Sequence, residues 1–283
     1  MESALDSSLV RRFSVKRVAN LQPERIVDTV ACEEPLAIHV SHWNKDARQT
    51  ANLAVTMRTP GADRELAAGL LLSEGVIHHR RDLEAVRPLG IEPSDEIMAE
   101  LAKGVDFEAW RQARNGFVSS SCGVCGKASR EQIGLAIAPL PVDGLRVGAE
   151  LIQTLPELLL QGQKAFAQTG GVHAAALITR AGEVHSVFED IGRHNALDKL
   201  IGNALLEDRL PLSNHVVFLS SRSSFELIQK AAMSGAPILA TVGGPSSLAI
   251  ETARQTGITL IGFVREGRFT IYSGDWRIDL KEK

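Results

Sequence analysis

The sequence of 283 residues has no long hydrophobic run and no strong excess of charge. Its longest apolar stretches, such as residues 70–72, fall well short of the ~20 residues that a membrane-spanning helix needs. The formal net charge is −3, which argues against general nucleic-acid binding because such binding usually requires a basic footprint. Hydrophobic residues make up 44% and charged residues 23%, as in a globular protein with a sizeable core.

Cysteine is also scarce: Cys32 stands alone, and Cys122 and Cys125 form a pair. A secreted domain stapled by disulfides usually has more cysteines, in even number. We therefore expect a reducing, cytoplasmic environment. Arg11-Arg12-Phe13 is not followed by the apolar segment of an export signal, so residues 1–20 are predicted to be a flexible polar tail.

Two differently patterned parts follow the tail. Residues 21–143 contain short strand patterns, one helix pattern, and a loop of serines and glycines at 119–127 that carries the cysteine pair. These residues are predicted to form a smaller, β-containing N-terminal subdomain with a mobile Cys-x-x-Cys loop. Residues 144–283 alternate strand patterns, such as 173–179, with helix patterns. This alternation predicts an α/β layered sheet with helices on its faces.

The pair Cys122-Gly-Val-Cys125 is compatible with four kinds of site. A structural zinc site needs further ligands, which only folding could bring from His173, His185 or His194. A thioredoxin-type redox pair is expected where a helix begins after a strand, and no clear strand pattern precedes Cys122. An inert structural pair is the third kind. The fourth is a mobile nucleophile, whose small neighbours expose the sulfur and whose nearby basic side chains favour the thiolate, as a persulfide carrier requires.

Four strand-to-loop junctions in the second half are rich in glycine, serine and arginine. They are residues 190–195, 220–224, 242–247 and 263–268. Ligands of α/β sheets bind beyond the carboxyl ends of the strands, where helix N-termini and arginine side chains favour phosphate groups. We predict that arginines of these junctions converge on one rim: Arg193, Arg222, Arg265 and Arg268. Phe263 is placed to stack on a ring. A tight or solvated turn without a ligand is the alternative for each junction taken alone.

Five motifs occur in a fixed order along the chain. They are Cys122-Gly-Val-Cys125-Gly, Thr169-Gly-Gly-Val-His173-Ala-Ala, Glu189-Asp-Ile-Gly-Arg-His-Asn-Ala-Leu-Asp-Lys199, Ser220-Ser-Arg-Ser-Ser-Phe-Glu226 and Phe263-Val-Arg-Glu-Gly-Arg268. This ordered set resembles the formate dehydrogenase accessory sulfurtransferase family, FdhD/NarQ. The resemblance extends from about residue 25 to the C-terminus and is densest after residue 115.

The resemblance implies a sulfurtransferase. A cysteine desulfurase is expected to donate sulfur to Cys122, which holds it as a persulfide, with Cys125 as an auxiliary residue. The sulfur then passes to the molybdenum cofactor, Mo-bis(molybdopterin guanine dinucleotide), which is bound as cargo and serves formate dehydrogenase. A homodimer is also implied. The cofactor contacts carried over from the family are Phe263, Val264, Arg265, Glu266, Gly267 and Arg268.

The family further implies a cytidine-deaminase-like fold, but the residues argue against deaminase chemistry. A zinc-dependent deaminase needs His-x-Glu and Pro-Cys-x-x-Cys motifs. This chain has His173-Ala-Ala and places Ser121 before Cys122, so no resident metal is expected. A non-catalytic chaperone that only escorts the molybdenum cofactor is the alternative function.

Overall fold

The computed structural model describes residues 9–91, 94–114, 119–120, 123–124, 139–142 and 144–280. The strands in these ranges are β1 (Val10–Ala19), β2 (Gln22–Ala31), β3 (Glu34–Asn44), β4 (Ala47–Arg58), β5 (Leu83–Pro88), β6 (Glu96–Leu101), β7 (Ser119–Ser120), β8 (Gly123–Val124), β9 (Val147–Gly148), β10 (His173–Thr179), β11 (Val184–Asp190), β12 (His215–Leu219), β13 (Ile238–Thr241), β14 (Thr259–Arg265), β15 (Arg268–Ser273) and β16 (Ile278–Asp279). The α-helices are α1 (Asp63–Ser73), α2 (Phe107–Arg114), α3 (Ala149–Gly162), α4 (Lys164–Thr169), α5 (Arg193–Leu206), α6 (Phe225–Met233) and α7 (Ser247–Thr256). None of these helices combines the length and hydropathy of a membrane span.

Two sheets organise the described part of the molecule. The larger has the strand order β11-β10-β12-β13-β14-β15, and the smaller has the order β4-β3-β6-β5. Strands β12, β13 and β14 run parallel, as strands joined by helices do, while β10, β11 and β15 run antiparallel to their neighbours. The predicted mixed α/β architecture is confirmed, whereas the cytidine-deaminase-like detail stays an implication of the family resemblance.

The core has two layers of apolar contacts on either side of the larger sheet. One face, with Leu177 and Leu219, packs against α5, α6 and α7, and this cluster continues through α1 to the smaller sheet. The opposite face, with Ile178 and Phe218, packs against α3. Side chains alternate between the faces because successive residues of a strand point in opposite directions. Helices therefore cover both faces of the larger sheet.

Helices α1 and α5 cross at two glycines. A Cβ atom at Gly69 would overlap the carbonyl oxygen of Asp198, and one at Gly202 would overlap the carbonyl oxygen of Glu65. The missing side chains let the two backbones touch. Since α1 precedes residue 143 and α5 follows it, the division drawn there from the sequence does not separate two cores.

The N-terminal segment differs from the prediction of a flexible tail through residue 20. Strands β1 and β2 pair without interruption from Val10 opposite Ala31 to Ala19 opposite Gln22. Asn20 and Leu21 make the turn with φ values of 51° and 64°, the left-handed pair that a tight hairpin requires. Four of the ten residues of β1 are charged, in the pairs Arg11-Arg12 and Lys16-Arg17, so the strand resembles a polar tail in composition although its pairing is complete.

Candidate functional site

The four arginine-bearing junctions meet at one edge of the larger sheet, which we call the rim. The strand register places His173 opposite Asp190, Ala175 opposite Leu219, and Leu219 beside Thr241. Ala240 lies beside Ile261, so the end of β14 reaches the same edge. The strand ends that carry these junctions therefore share one edge, and the convergence of the four arginine side chains stays a prediction.

Two neighbouring junctions of the rim are tied to each other by their backbones. Ser223 and Pro245 form a parallel bridge, and the amide of Ser246 donates to the carbonyl of Ser223 over 3.1 Å. The N-termini of α6 and α7 consequently begin side by side. The side chain of Ser246 caps α7, whereas that of Ser224 makes no capping hydrogen bond to α6. The first backbone amides of α6 therefore receive no hydrogen bond from the side chain of Ser224. Uncapped amides at a helix N-terminus are the groups that bind anions.

Phe263 presents an aromatic ring at the rim. Its backbone has a φ of 53°, a strained conformation for a bulky residue, within an irregularity of β14 between Gly262 and Arg265. The amide of Phe263 donates to the carbonyl of Gly243 over 3.1 Å, which holds the strand in place. The ring lies against Gly244, where a Cβ atom would come within 2.5 Å of it, yet the residue is 49% exposed. The rim thus offers a fixed aromatic face.

The other residues predicted to contact the cofactor lie in different environments. Val264 is buried in the core, so its side chain faces away from the rim. Nη1 of Arg265 donates to the carbonyl oxygens of Val242 at 2.7 Å and of Val264 at 2.8 Å. These hydrogen bonds hold the end of β14 against the end of β13. Glu266 and Gly267 form the exposed turn between β14 and β15, with Gly267 at a φ of 74°, and Arg268 is the exposed first residue of β15. Arg268 makes no ion pair with the described residues.

A histidine and arginine group occupies the other end of the rim. Arg193 and His194 are the first residues of α5, and Nε2 of His194 lies 2.8 Å from Oε2 of Glu226 on α6. The hydrogen bond from His194 lowers the pKa of Glu226 below its ordinary value. The two residues belong to separate motifs of the sequence, and only the packing of α5 on α6 makes them neighbours.

His173, at the start of β10, completes this group. Its Nδ1 lies 3.4 Å from the hydroxyl of Ser220, which also accepts a hydrogen bond from the amide of Ala174 at 2.9 Å. Burial, and then the positive field of Arg193 and His194, lowers the pKa of His173. The imidazole is therefore neutral at neutral pH and is able to accept a proton or a hydrogen bond at the rim.

The buried charges of the same motifs hold the fold together. Lys199 lies 2.7 Å from Asp190 and donates to the carbonyl of Thr59 over 2.8 Å. The carboxylate of Asp190 also accepts from the amide of Thr59 at 3.1 Å, which joins the rim to the end of β4. Buried ion pairs of this kind need such additional hydrogen bonds to offset their desolvation.

A second buried pair lies deeper on α5. Lys230 donates to both carboxylate oxygens of Asp198 at 2.8 Å, and Ser73 donates to Asp198 at 2.7 Å. Burial raises the pKa of Asp198, and the attraction of Lys230 opposes that rise. Asp190, Asp198 and Lys199 of the long motif thus have structural roles, and Lys230 of α6 supplies the partner of Asp198.

The predicted nucleophile Cys122 and its auxiliary Cys125 lie outside the described residues. Before them, α2 is held by Trp110, whose indole donates to the carbonyl of Glu74 over 2.9 Å. After them, Leu140 donates to the carbonyl of Thr256 over 2.9 Å. No three metal-ligating side chains cluster within the described ranges, and the expectation of no resident metal stays a prediction.

Comparison with known proteins agrees with these motifs. The family model for the FdhD/NarQ family matches residues 31–279. A protein from Streptomyces coelicolor, named sulfur carrier protein FdhD, is 44% identical over 264 residues, which are 90% of each chain. The protein of the same name from Saccharolobus solfataricus is 38% identical over 95% of this chain and 98% of its own.

A solved structure shares the fold. It is a crystal structure described as that of a formate dehydrogenase accessory protein from Desulfotalea psychrophila, which superposes with a TM-score of 0.73 over 96% of this chain and 100% of that one. At 22% identity this likeness establishes the fold alone. The family model and the close relatives carry the assignment: this chain belongs to the FdhD/NarQ family.

Proposed function

We propose that the protein is a sulfurtransferase that takes sulfur from a cysteine desulfurase as a persulfide on Cys122. It then delivers that sulfur to Mo-bis(molybdopterin guanine dinucleotide) for formate dehydrogenase, in the cytoplasm. Relatives named sulfur carrier protein FdhD support the sulfur-transfer part of this proposal. The rim carries the cofactor part, because it combines an exposed aromatic ring, an exposed arginine and paired helix N-termini at one sheet edge.

Loading is a thiol–persulfide exchange. The Cys122 thiolate attacks the outer sulfur of the donor's persulfide, the donor's S–S bond breaks, and the donor cysteine leaves as a thiolate. A new S–S bond then joins the sulfur to Cys122 without net oxidation. Passing that sulfur on as sulfide would regenerate the Cys122 thiolate and would require two electrons from the acceptor, which a reduced metal ion of the cofactor would supply.

The guanine dinucleotide ends of the cofactor match the rim in chemistry. A purine base stacks on an aromatic ring such as Phe263, a contact worth roughly 1–3 kcal/mol. Phosphate oxygens are held by arginine forks and by the free amides at a helix N-terminus. Arg268, the first residue of β15, is the arginine of this segment left available, since Arg265 donates to backbone carbonyls.

Calorimetric titration with GDP tests this assignment. Arg268→Ala is expected to weaken GDP binding about ten- to a hundredfold, because a hydrogen bond to a charged group contributes roughly 1.5–3 kcal/mol. Arg180→Ala, an exposed arginine at the opposite end of β10, serves as the control and should leave binding unchanged. Unchanged affinity in the Arg268 variant would show that the segment between β14 and β15 faces solvent and does not bind GDP.

The alternative function is a non-catalytic chaperone that escorts the cofactor. Incubation with a cysteine desulfurase and cysteine, followed by peptide mass mapping, separates the two. Transfer predicts a gain of one sulfur atom on Cys122, lost together with dehydrogenase maturation in Cys122→Ala, while Cys125→Ala keeps part of both. Full maturation by the Cys122→Ala protein would establish the escort and refute the transferase.

A further inference from the structure

A cavity of about 310 Å³ lies away from the rim. Its walls come from the start of α1, the 3-10 helix Arg80–Asp82, strand β5 and the end of α5. Helix α5 begins at the rim and has 14 residues, so at 1.5 Å per residue its end is about 21 Å away. A ligand in this cavity would therefore be separate from anything bound at Phe263.

Two of the charged side chains that line the cavity are neutralised by partners. Nε of Arg87 donates to Oε1 of Glu100 over 2.8 Å, in a cross-strand ion pair between β5 and β6. Glu84 pairs with Arg48 of β4. These pairs leave no net charge at the positions that they occupy.

Two further arginines are not neutralised. Arg64 makes no ion pair or hydrogen bond with the described residues and is exposed at the start of α1. Arg80 donates Nη1 to the carbonyl of Leu83 over 2.7 Å, and no carboxylate in the described ranges reaches it. The cavity consequently holds two uncompensated positive charges, an arrangement that attracts anions.

The rest of the wall is apolar, with Leu83, Val86 and Leu206 among its residues. We propose that this cavity is a second binding site, for a small phosphate monoester whose organic group packs on the apolar wall. A phosphomonoester carries about −1.5 to −2 charges at neutral pH, which matches the two guanidiniums whose charge no carboxylate of the described residues neutralises. The volume is at the lower end of the range of small-molecule sites.

Calorimetric titration with phenyl phosphate and with inorganic phosphate tests the proposal. Phenyl phosphate is expected to bind about tenfold more tightly than inorganic phosphate, because its ring buries apolar surface. Arg64→Gln should weaken phenyl phosphate about tenfold, and Arg64→Gln with Arg80→Gln should abolish binding. The single Arg64 variant removes no contact of the fold. Arg81→Gln is the matched control, since Arg81 is exposed in the same 3-10 helix but does not line the cavity.

Acidification gives a second readout on the wild-type protein. Binding should weaken between pH 7.5 and 5.5, because a phosphomonoester takes up a proton with a pKa near ~6 while arginine stays charged. Undetectable binding of phenyl phosphate, equal affinity in the double variant, or binding lost only in Arg222→Gln at the rim would each overturn the proposal.

Discussion

At the scale of single residues, the rim depends on one aromatic ring and the glycine beneath it. Phe263 has a φ of 53°, and its ring occupies the place where a side chain at residue 244 would stand. Local strain of this kind is tolerated where the surroundings hold it in place, here through the hydrogen bond from Phe263 to Gly243. The position of the ring is thus set by backbone contacts that need no ligand.

Gly244→Ala should displace the Phe263 ring, since the new Cβ atom would lie 2.5 Å from it. We expect GDP affinity to fall about tenfold, the equivalent of one lost stacking contact, with the fold retained. The measurement is calorimetry in two backgrounds. In a Phe263→Ala protein the same substitution should have no additional effect, and a further loss there would mean that Gly244 acts independently of the ring.

His173 gives the stability a pH dependence of known sign. Its pKa in the folded protein is lowered from 6.5, so the unfolded chain takes up a proton at higher pH than the folded protein does. The free energy of unfolding should therefore fall as the pH drops below about 6.5, and this loss ends once the folded imidazole is also protonated.

His173→Gln should reduce that fall, as measured by urea unfolding between pH 7.5 and 5.5. Part of the dependence should remain, because burial also lowers the pKa of His215. A variant with the same pH dependence as the wild type would show that His173 titrates alike in the folded and unfolded states.

At the scale of elements, the sequence pattern does not predict that α1 and α5 cross with their backbones in contact at Gly69 and Gly202. Alanine is the better helix former by about 1 kcal/mol, so Gly202→Ala would stabilise an isolated helix. In the folded protein its methyl group would overlap the carbonyl oxygen of Glu65. We expect a net destabilisation of about 2–3 kcal/mol, with the sign set by overpacking.

Chemical denaturation checks this expectation against Gly171→Ala. A Cβ atom added at Gly171 would have no neighbour closer than 3.8 Å, so this variant should be close to neutral. A Gly202→Ala protein at least as stable as the wild type would mean that the helices separate at little cost.

At the scale of the whole molecule, one apolar cluster and the hydrogen bonds of two buried ion pairs join the parts before and after residue 143. Thr59 bonds to the Lys199–Asp190 pair, and Ser73 bonds to Asp198. Lys199→Met leaves Asp190 buried without its counter-ion and removes the hydrogen bond to Thr59. Breaking a buried pair in this way costs about 3–5 kcal/mol. Lys164→Met, at an exposed lysine of α4, is the control.

Unfolding of the wild type and of Lys199→Met should each show one transition. Far-UV circular dichroism and tryptophan fluorescence are the two probes, because tryptophans lie in both parts, at residues 43, 110 and 276. The variant should have a lower midpoint by both probes. Two separate transitions would contradict a shared core.

The local sequence pattern was sufficient to predict the strands and helices of the second half of the chain. The strand predicted at 173–179 and the alternation of strands with helices after residue 144 are present, because hydrophobic periodicity and flanking glycine and serine residues are local signals. The convergence of the four junctions was also predictable, since neighbouring strand ends share an edge. The order of the five motifs along the chain was enough to identify the family.

The tertiary structure alone decided which of these residues face the rim and which hold the fold. Arg265 and Arg268 look alike in the motif, yet Arg265 is directed to the carbonyl of Val242. The pairing of β1 with β2, the approach of Gly69 to α5 and the cavity beside Arg64 likewise depend on which elements meet in space. Contacts between distant residues have no period along the chain, so only packing reveals them.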